Sequence, residues 1–259
     1  MLAVSARENR RTGAFTIIEA LVVITVLSVL VALAASALAR ARESADRTLS
    51  LSKLRDLANR FGVYYGEYRD TFPYSTSDTL HPLPVGGPGS ASGFGHFQID
   101  IHWPMLMPDL MAAAHTPTAP HLAPKATLHQ RSMFSGPGVE PFWPSSSYHY
   151  SLSFVADPAV WLSGTLVSET LLRAVKVHEA VFPARKVLLW DRDTPYLWPP
   201  PGGFRWDRPD PVPMTFVDGH AAQLAPADAQ PGAAAVFKNL PVGGLRLRDT
   251  PGGVRGYDY

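Results

Sequence analysis

The sequence predicts an α+β fold, one long N-terminal α-helix carrying an antiparallel β-sheet head, and three observations support this. Residues 15–39 form an apolar run of 25 residues whose single charge is Glu19. Residues 40–70 carry an apolar stripe at helical spacing, and neither Gly nor Pro occurs from Ala14 to Phe61 to interrupt a helix through both segments. From Tyr148 onward, short runs rich in β-branched and aromatic residues alternate with turn residues.

Residues 1–14 are a basic leader. Arg7, Arg10 and Arg11 stand against the single Glu8, which by the positive-inside tendency keeps this end cytoplasmic and sends the remainder outward. Residues 15–39 have the length of a transmembrane helix: at 1.5 Å per residue they make about 38 Å of helix, against a hydrocarbon core of about 30 Å. Glu19 is the fifth residue of this run. A carboxylate is costly inside a membrane-length helix and reads there as a functional device. The small-x-small triplet Ala37-Leu38-Ala39 offers an alternative, an ordinary secretory signal cut before Arg40. The run is longer than the usual apolar core of such signals, and Glu19 would sit in it without purpose.

Residues 40–70 hold seven basic and five acidic residues, while Leu51, Leu54, Leu57, Phe61, Tyr64, Tyr65 and Tyr68 recur at spacings of three and four. This pattern predicts an amphipathic helix that continues the first and lays its Leu/Phe/Tyr stripe on a head of residues 71–259. Residues 71–147 contain 12 of the 25 prolines and predict loops with short helical turns. Residues 148–259 predict the sheet, with strands at 148–156, 185–190 and 212–217. Residues 199–203 (PPPGG) fit only a turn or extended loop, and the stretch from Leu245 fits an edge or tail.

Candidate chemistry is sparse. A net charge of +1 and a pI near 8.1, with basic residues interleaved among acids, give no reason to expect nucleic acid. Cysteine is absent, which excludes disulfides, thiolate zinc sites and a Cys nucleophile. Asp191 and Asp193 follow a strand and are weak candidates for a calcium site; two acids do not make a cage of six to eight oxygens, and a solvated turn is the preferred reading. His178-Glu179 begins like a zincin helix, but Phe182 occupies the place of the second His. His115, His121 and His129 lack ligand spacing and read as exposed loop residues. Asp218-Gly219 between two strand-like runs signals a hairpin, with Gly supplying positive φ; the alternative is that Asp218 and His220 face a ligand. No G-x-S-x-G, Walker loop or G-x-G-x-x-G occurs. Catalysis is not expected, and no cofactor is implied beyond the weak calcium candidate.

Gly13-Ala14-Phe15-Thr16-Ile17-Ile18-Glu19, following a basic leader and opening a long apolar helix, resembles the class III signal of type IV pilins and type II secretion pseudopilins. The resemblance implies cleavage by a prepilin peptidase just before Phe15, N-methylation of Phe15, and Glu19 as the fifth mature residue. Ala14 stands where the family usually has Gly, and cleavage after Gly13 would make Glu19 the sixth. Many relatives break the apolar helix midway with Pro; the equivalent position here is Ser36, so local melting in a fibre is not expected. The stretch from Met214 to Ala221 looks like the F-x-DGH signature of large prepilin-type proteins of planctomycetes and verrucomicrobia.

The resemblance further implies an inner-membrane protein, single-pass, with its N-terminus cytoplasmic and its head periplasmic, that enters a periplasmic or extracellular fibre on assembly. The implied partners are the prepilin peptidase, an inner-membrane assembly platform, membrane lipid, and copies of itself or other pilin-like subunits. Pilus, secretion pseudopilus and lineage-specific roles stay open, as does the choice of major or minor subunit. The competing reading is a membrane-tethered or secreted enzyme or carbohydrate-binding module that uses the span only for export. Trp143, Trp198 and Trp206 lie in loop-like contexts that would suit a sugar-binding surface. Aromatics buried against the helix favour a scaffold, and an exposed coplanar row favours the binding module.

Overall fold

The computed structural model describes residues 16–74, 99–107, 110, 119–126, 146–162, 166–167, 169–192, 194–196, 207–237 and 240–259. Helix α1, Ile17–Glu67, is continuous over 51 residues, as expected of a segment without Pro and without Gly before Gly62. It stops three residues short of the predicted end, because Arg69 and Asp70 adopt φ of 55° and 56°, a left-handed geometry that terminates the ladder. The chain divides into two compact units, Met1–Ser44 and Ala45–Tyr259.

In the first unit, α1 is long and apolar enough to cross a membrane, and none of its most apolar stretch is buried. Its hydroxyls bond back onto the helix: Thr25 Oγ1 donates to the carbonyl of Leu21, Ser28 Oγ to Ile24 at 2.7 Å and Ser36 Oγ to Leu33 at 2.9 Å. Such back-bonding satisfies polar groups that hydrocarbon cannot. The helix runs unbroken through Ser36.

In the second unit, one face of α1 enters the core through Ser50, Leu54, Leu57, Ala58 and Phe61. It packs on a four-stranded antiparallel sheet of order β1-β3-β4-β5, formed by β1 (Tyr148–Tyr150), β3 (Val187–Asp191), β4 (Val212–Phe216) and β5 (Ala221–Leu224). The run from Tyr148 is a strand for only three residues and then turns into a 3-10 helix at Leu152–Phe154. That turn is part of the core: Phe154 stacks on Phe72 at 4.2 Å and Tyr150 lies 5.6 Å from Phe61. The pairing of β3 with β4 shifts register between Val187 and Leu189. The irregularity lets adjacent Leu188 and Leu189 join the core shared with α1, while Val187 and Trp190 join a second cluster with Val212, Met214 and Phe216 on the other side.

A smaller sheet has the order β2-β6-β7, with β2 (Leu166–Val167) parallel to β6 (Ala234–Phe237), and β6 antiparallel to β7 (Leu240–Gly243). These strands lay outside the runs predicted from sequence. The stretch from Leu245 is neither edge strand nor free tail. It turns through Gly244 at φ 86° and Leu247 at φ 64°, buries Leu247 and Val254, and places Asp258 beside β3. Within residues 71–147 the described helical pieces are short and include α2 (Ile99–His102) and a 3-10 turn at Trp103–Leu106. Trp103 is buried 5.3 Å from Phe61 and donates its indole N–H to the carbonyl of Tyr148 at 2.8 Å.

Candidate processing and assembly site

The first turn of α1 is a capping box. Thr16 is the N-cap: its Oγ1 accepts the N–H of Glu19 at 3.2 Å, and Glu19 Oε2 accepts both the N–H and Oγ1 of Thr16 at 2.8 Å each. A Thr followed three residues later by Glu thus satisfies helix-start donors reciprocally, and the carboxylate sits at the positive end of the helix dipole. This capping function of Thr16 and Glu19 was readable from the Thr-x-x-Glu spacing. Gly13, Ala14 and Phe15 lie outside the described residues.

Asp218 and Gly219 sit in the connection from β4 to β5. Gly219 has φ 87° and donates its N–H to the carbonyl of Phe216 at 2.9 Å, closing the turn. The connection is longer than a two-residue hairpin turn, since strand pairing resumes only at Thr215 and Ala221. Asp218 Oδ1 accepts the His220 N–H at 3.1 Å and lies 2.6 Å from His220 Nδ1, and the His220 ring stacks on Phe216 at 4.2 Å and 7°. The two side chains therefore engage each other and the strand end, and both are exposed.

Asp191 is not in a solvated turn. It ends β3, fully buried, and its carboxylate receives Ser50 Oγ of α1 at 2.6 Å, Tyr196 OH at 2.9 Å and the Thr194 N–H at 3.0 Å. Tyr148 OH lies 3.2 Å from the same Ser50 Oγ. Burial, reinforced by the Asp191 charge, holds the Tyr148 and Tyr196 hydroxyls well above their usual range and keeps them protonated. Asp191 is thus a buried acceptor linking helix to sheet, an assignment that needs a structure because Ser50 and Asp191 are distant in sequence. Asp193 lies outside the described residues.

His121 also departs from expectation. It is fully buried, because the Pro-rich stretch around it is fastened to α1: Lys53 Nζ donates to the Leu122 carbonyl at 2.9 Å, and Lys125 pairs with Asp46 at 2.5 Å. His115, His129, Trp143, Trp198 and Trp206 lie outside the described residues. Trp103, Trp161 and Trp190 are buried. Glu179 does not face a metal partner but pairs with Arg173 at 2.7 Å, and that guanidinium holds its carboxyl down to about 2. Among the described residues, no group of three His, Asp or Glu is placed to hold a metal.

Residues 9–35 match the prokaryotic N-terminal methylation motif. The match covers residues 9–14 of the leader, the capping box and most of the apolar half of α1, and it supports a type IV pilin-like chain that is a substrate of prepilin peptidase. No curated protein matches the chain, and no solved structure matches it.

Proposed function

We propose that this protein is a structural subunit of a type IV pilus-like or type II secretion pseudopilus-like assembly. The methylation motif at residues 9–35 carries the reading. In it, the leader 1–14 is cytoplasmic, a prepilin peptidase releases Phe15 as an N-methylated terminus, and the head lies on the far side of the inner membrane. The role is scaffolding: the described tryptophans are buried in the head rather than displayed in a row.

Glu19 is the assembly residue. A charge at the centre of a span costs about 2.5–3.5 kcal/mol on insertion scales, and Thr16 supplies hydrogen bonds but no opposite charge. Cleavage creates a cation at this depth, the α-amine of Phe15, and a neighbouring subunit staggered along the helix brings its own amine to this carboxylate. In low dielectric such a pair sets register, because each wrong stagger leaves a buried charge unpaired.

The test is Glu19→Val in the full chain, expressed with a prepilin peptidase and an assembly platform. Insertion and cleavage proceed as in the wild type, the terminus is Phe15 or Ala14, and incorporation into fibres or cross-linkable oligomers falls. A mature terminus at Arg40 would identify an ordinary secretory signal and remove the proposal. Wild-type incorporation of the Val variant would remove the registering role of Glu19.

A further inference from the structure

A buried ion pair lies in the head. Lys186, just before β3, is fully buried, and so is Asp258 in the C-terminal stretch. Lys186 Nζ lies 3.5 Å from Asp258 Oδ2. The two groups are held by backbone on both sides: the Asp258 N–H donates to the Arg185 carbonyl at 2.9 Å, and the Val187 N–H donates to Asp258 Oδ2 at 2.8 Å. Thr250 Oγ1 bridges them, accepting from Lys186 Nζ and donating to Asp258 Oδ1 at 2.5 Å. Ser153 Oγ accepts from Nζ at 3.0 Å, and the Phe154 ring lies 5.5 Å away.

We propose that Lys186 and Asp258 condense to an intramolecular isopeptide bond, Nζ to Cγ, which staples the C-terminal stretch to β3. A buried ion pair pays desolvation on both charges, so passing one proton from the ammonium to the carboxylate, through the Thr250 hydroxyl, removes both at once. Burial pushes the Lys186 amine down to about 8, in the same direction. The neutral amine then attacks Cγ and the C–N bond forms. Negative charge develops on Oδ2, where the Val187 N–H is already placed as an oxyanion donor. The C–Oδ1 bond breaks, a second Nζ proton reaches Oδ1 through Thr250, and Oδ1 departs as water. The amide keeps the third Nζ hydrogen, and nothing is oxidised or reduced.

Two features favour the product. Fixed placement of amine and carboxyl replaces a bimolecular encounter, and a neutral amide exchanges two buried charges for none. The chain also has no cysteine, so no disulfide can make this link. A covalent closure between β3 and the C-terminal stretch restricts the unfolded chain as a long-loop cross-link does.

Peptide mapping of the folded full-length chain, purified in detergent, decides the matter independently of assembly. The expected result is a branched tryptic peptide joining the segments around Lys186 and Asp258, lighter by one water than the two together, with cleavage after Lys186 lost. Lys186→Arg and Asp258→Ala lack the branched peptide, and Thr250→Val accumulates uncondensed chain. Recovery of Lys186 and Asp258 from the wild type only on separate linear peptides overturns the proposal, whatever the variants do.

Discussion

Along α1, residues 17–39 and 45–67 are equally helical, yet none of the most apolar stretch of the first is buried, while Leu54, Leu57 and Phe61 of the second are completely enclosed. The difference lies in pattern. The first half is apolar on every side with one acid at its start, the arrangement suited to lipid; the second confines apolar residues to one stripe and sets Arg55, Asp56 and Asn59 on the exposed side. Helix formation alone therefore says nothing about what covers a helix. Arrangement around the axis does.

The largest test of this comparison is Phe61→Ala, which removes a ring touching Trp103 and Tyr150 and costs the head about 3–5 kcal/mol. Leu30→Ala, in the exposed half, leaves the unfolding of the head unchanged. Denaturant titration of the full chain in detergent, followed by tryptophan fluorescence, measures both; equal effects would erase the distinction between the halves.

Asp191→Ala probes how the second half is fastened to the sheet. It leaves the Ser50, Tyr196 and Thr194 donors without their shared acceptor, at about 1–3 kcal/mol. If Asp191 held the helix through charge alone, Asp191→Asn would cost as much; retention of most of the stability in Asn identifies hydrogen bonding as the cause.

Gly219→Ala, far from the helix, should cost the head roughly 1 kcal/mol because a β-carbon opposes its positive φ, whereas His220→Ala changes stability by less than about 0.5 kcal/mol. Thermal melts distinguish these, and a cation-dependent melt lost in His220→Ala would instead assign a ligand to the turn.

A further effect has the opposite sign. Gly62 lies within α1 with nothing inside 4 Å of the position its β-carbon would take, so Gly62→Ala should stabilise the docked half by about 0.5–1 kcal/mol. A loss of stability would mean that this face of the helix is covered in the folded chain.

Local physics acts at short sequence distance, and that part of the protein was legible. The absence of breakers set one long helix, the spacing of Leu54, Leu57 and Phe61 set its buried stripe, and Asp218-Gly219 marked the connection from β4 to β5. The N-terminal motif is likewise a pattern of adjacent residues, and residues 9–35 match it in order along the chain. What tertiary structure alone decided concerns groups whose partners are remote. Asp191 meets Ser50 across 141 positions, Lys186 meets Asp258 only after the C-terminal stretch returns to β3, and β2 finds β6 across a long connection. His121 is buried because Lys53 and Lys125 tie its loop to the helix. A side chain's chemistry follows from its identity, but its burial and its partners follow from long-range packing, which no local pattern contains.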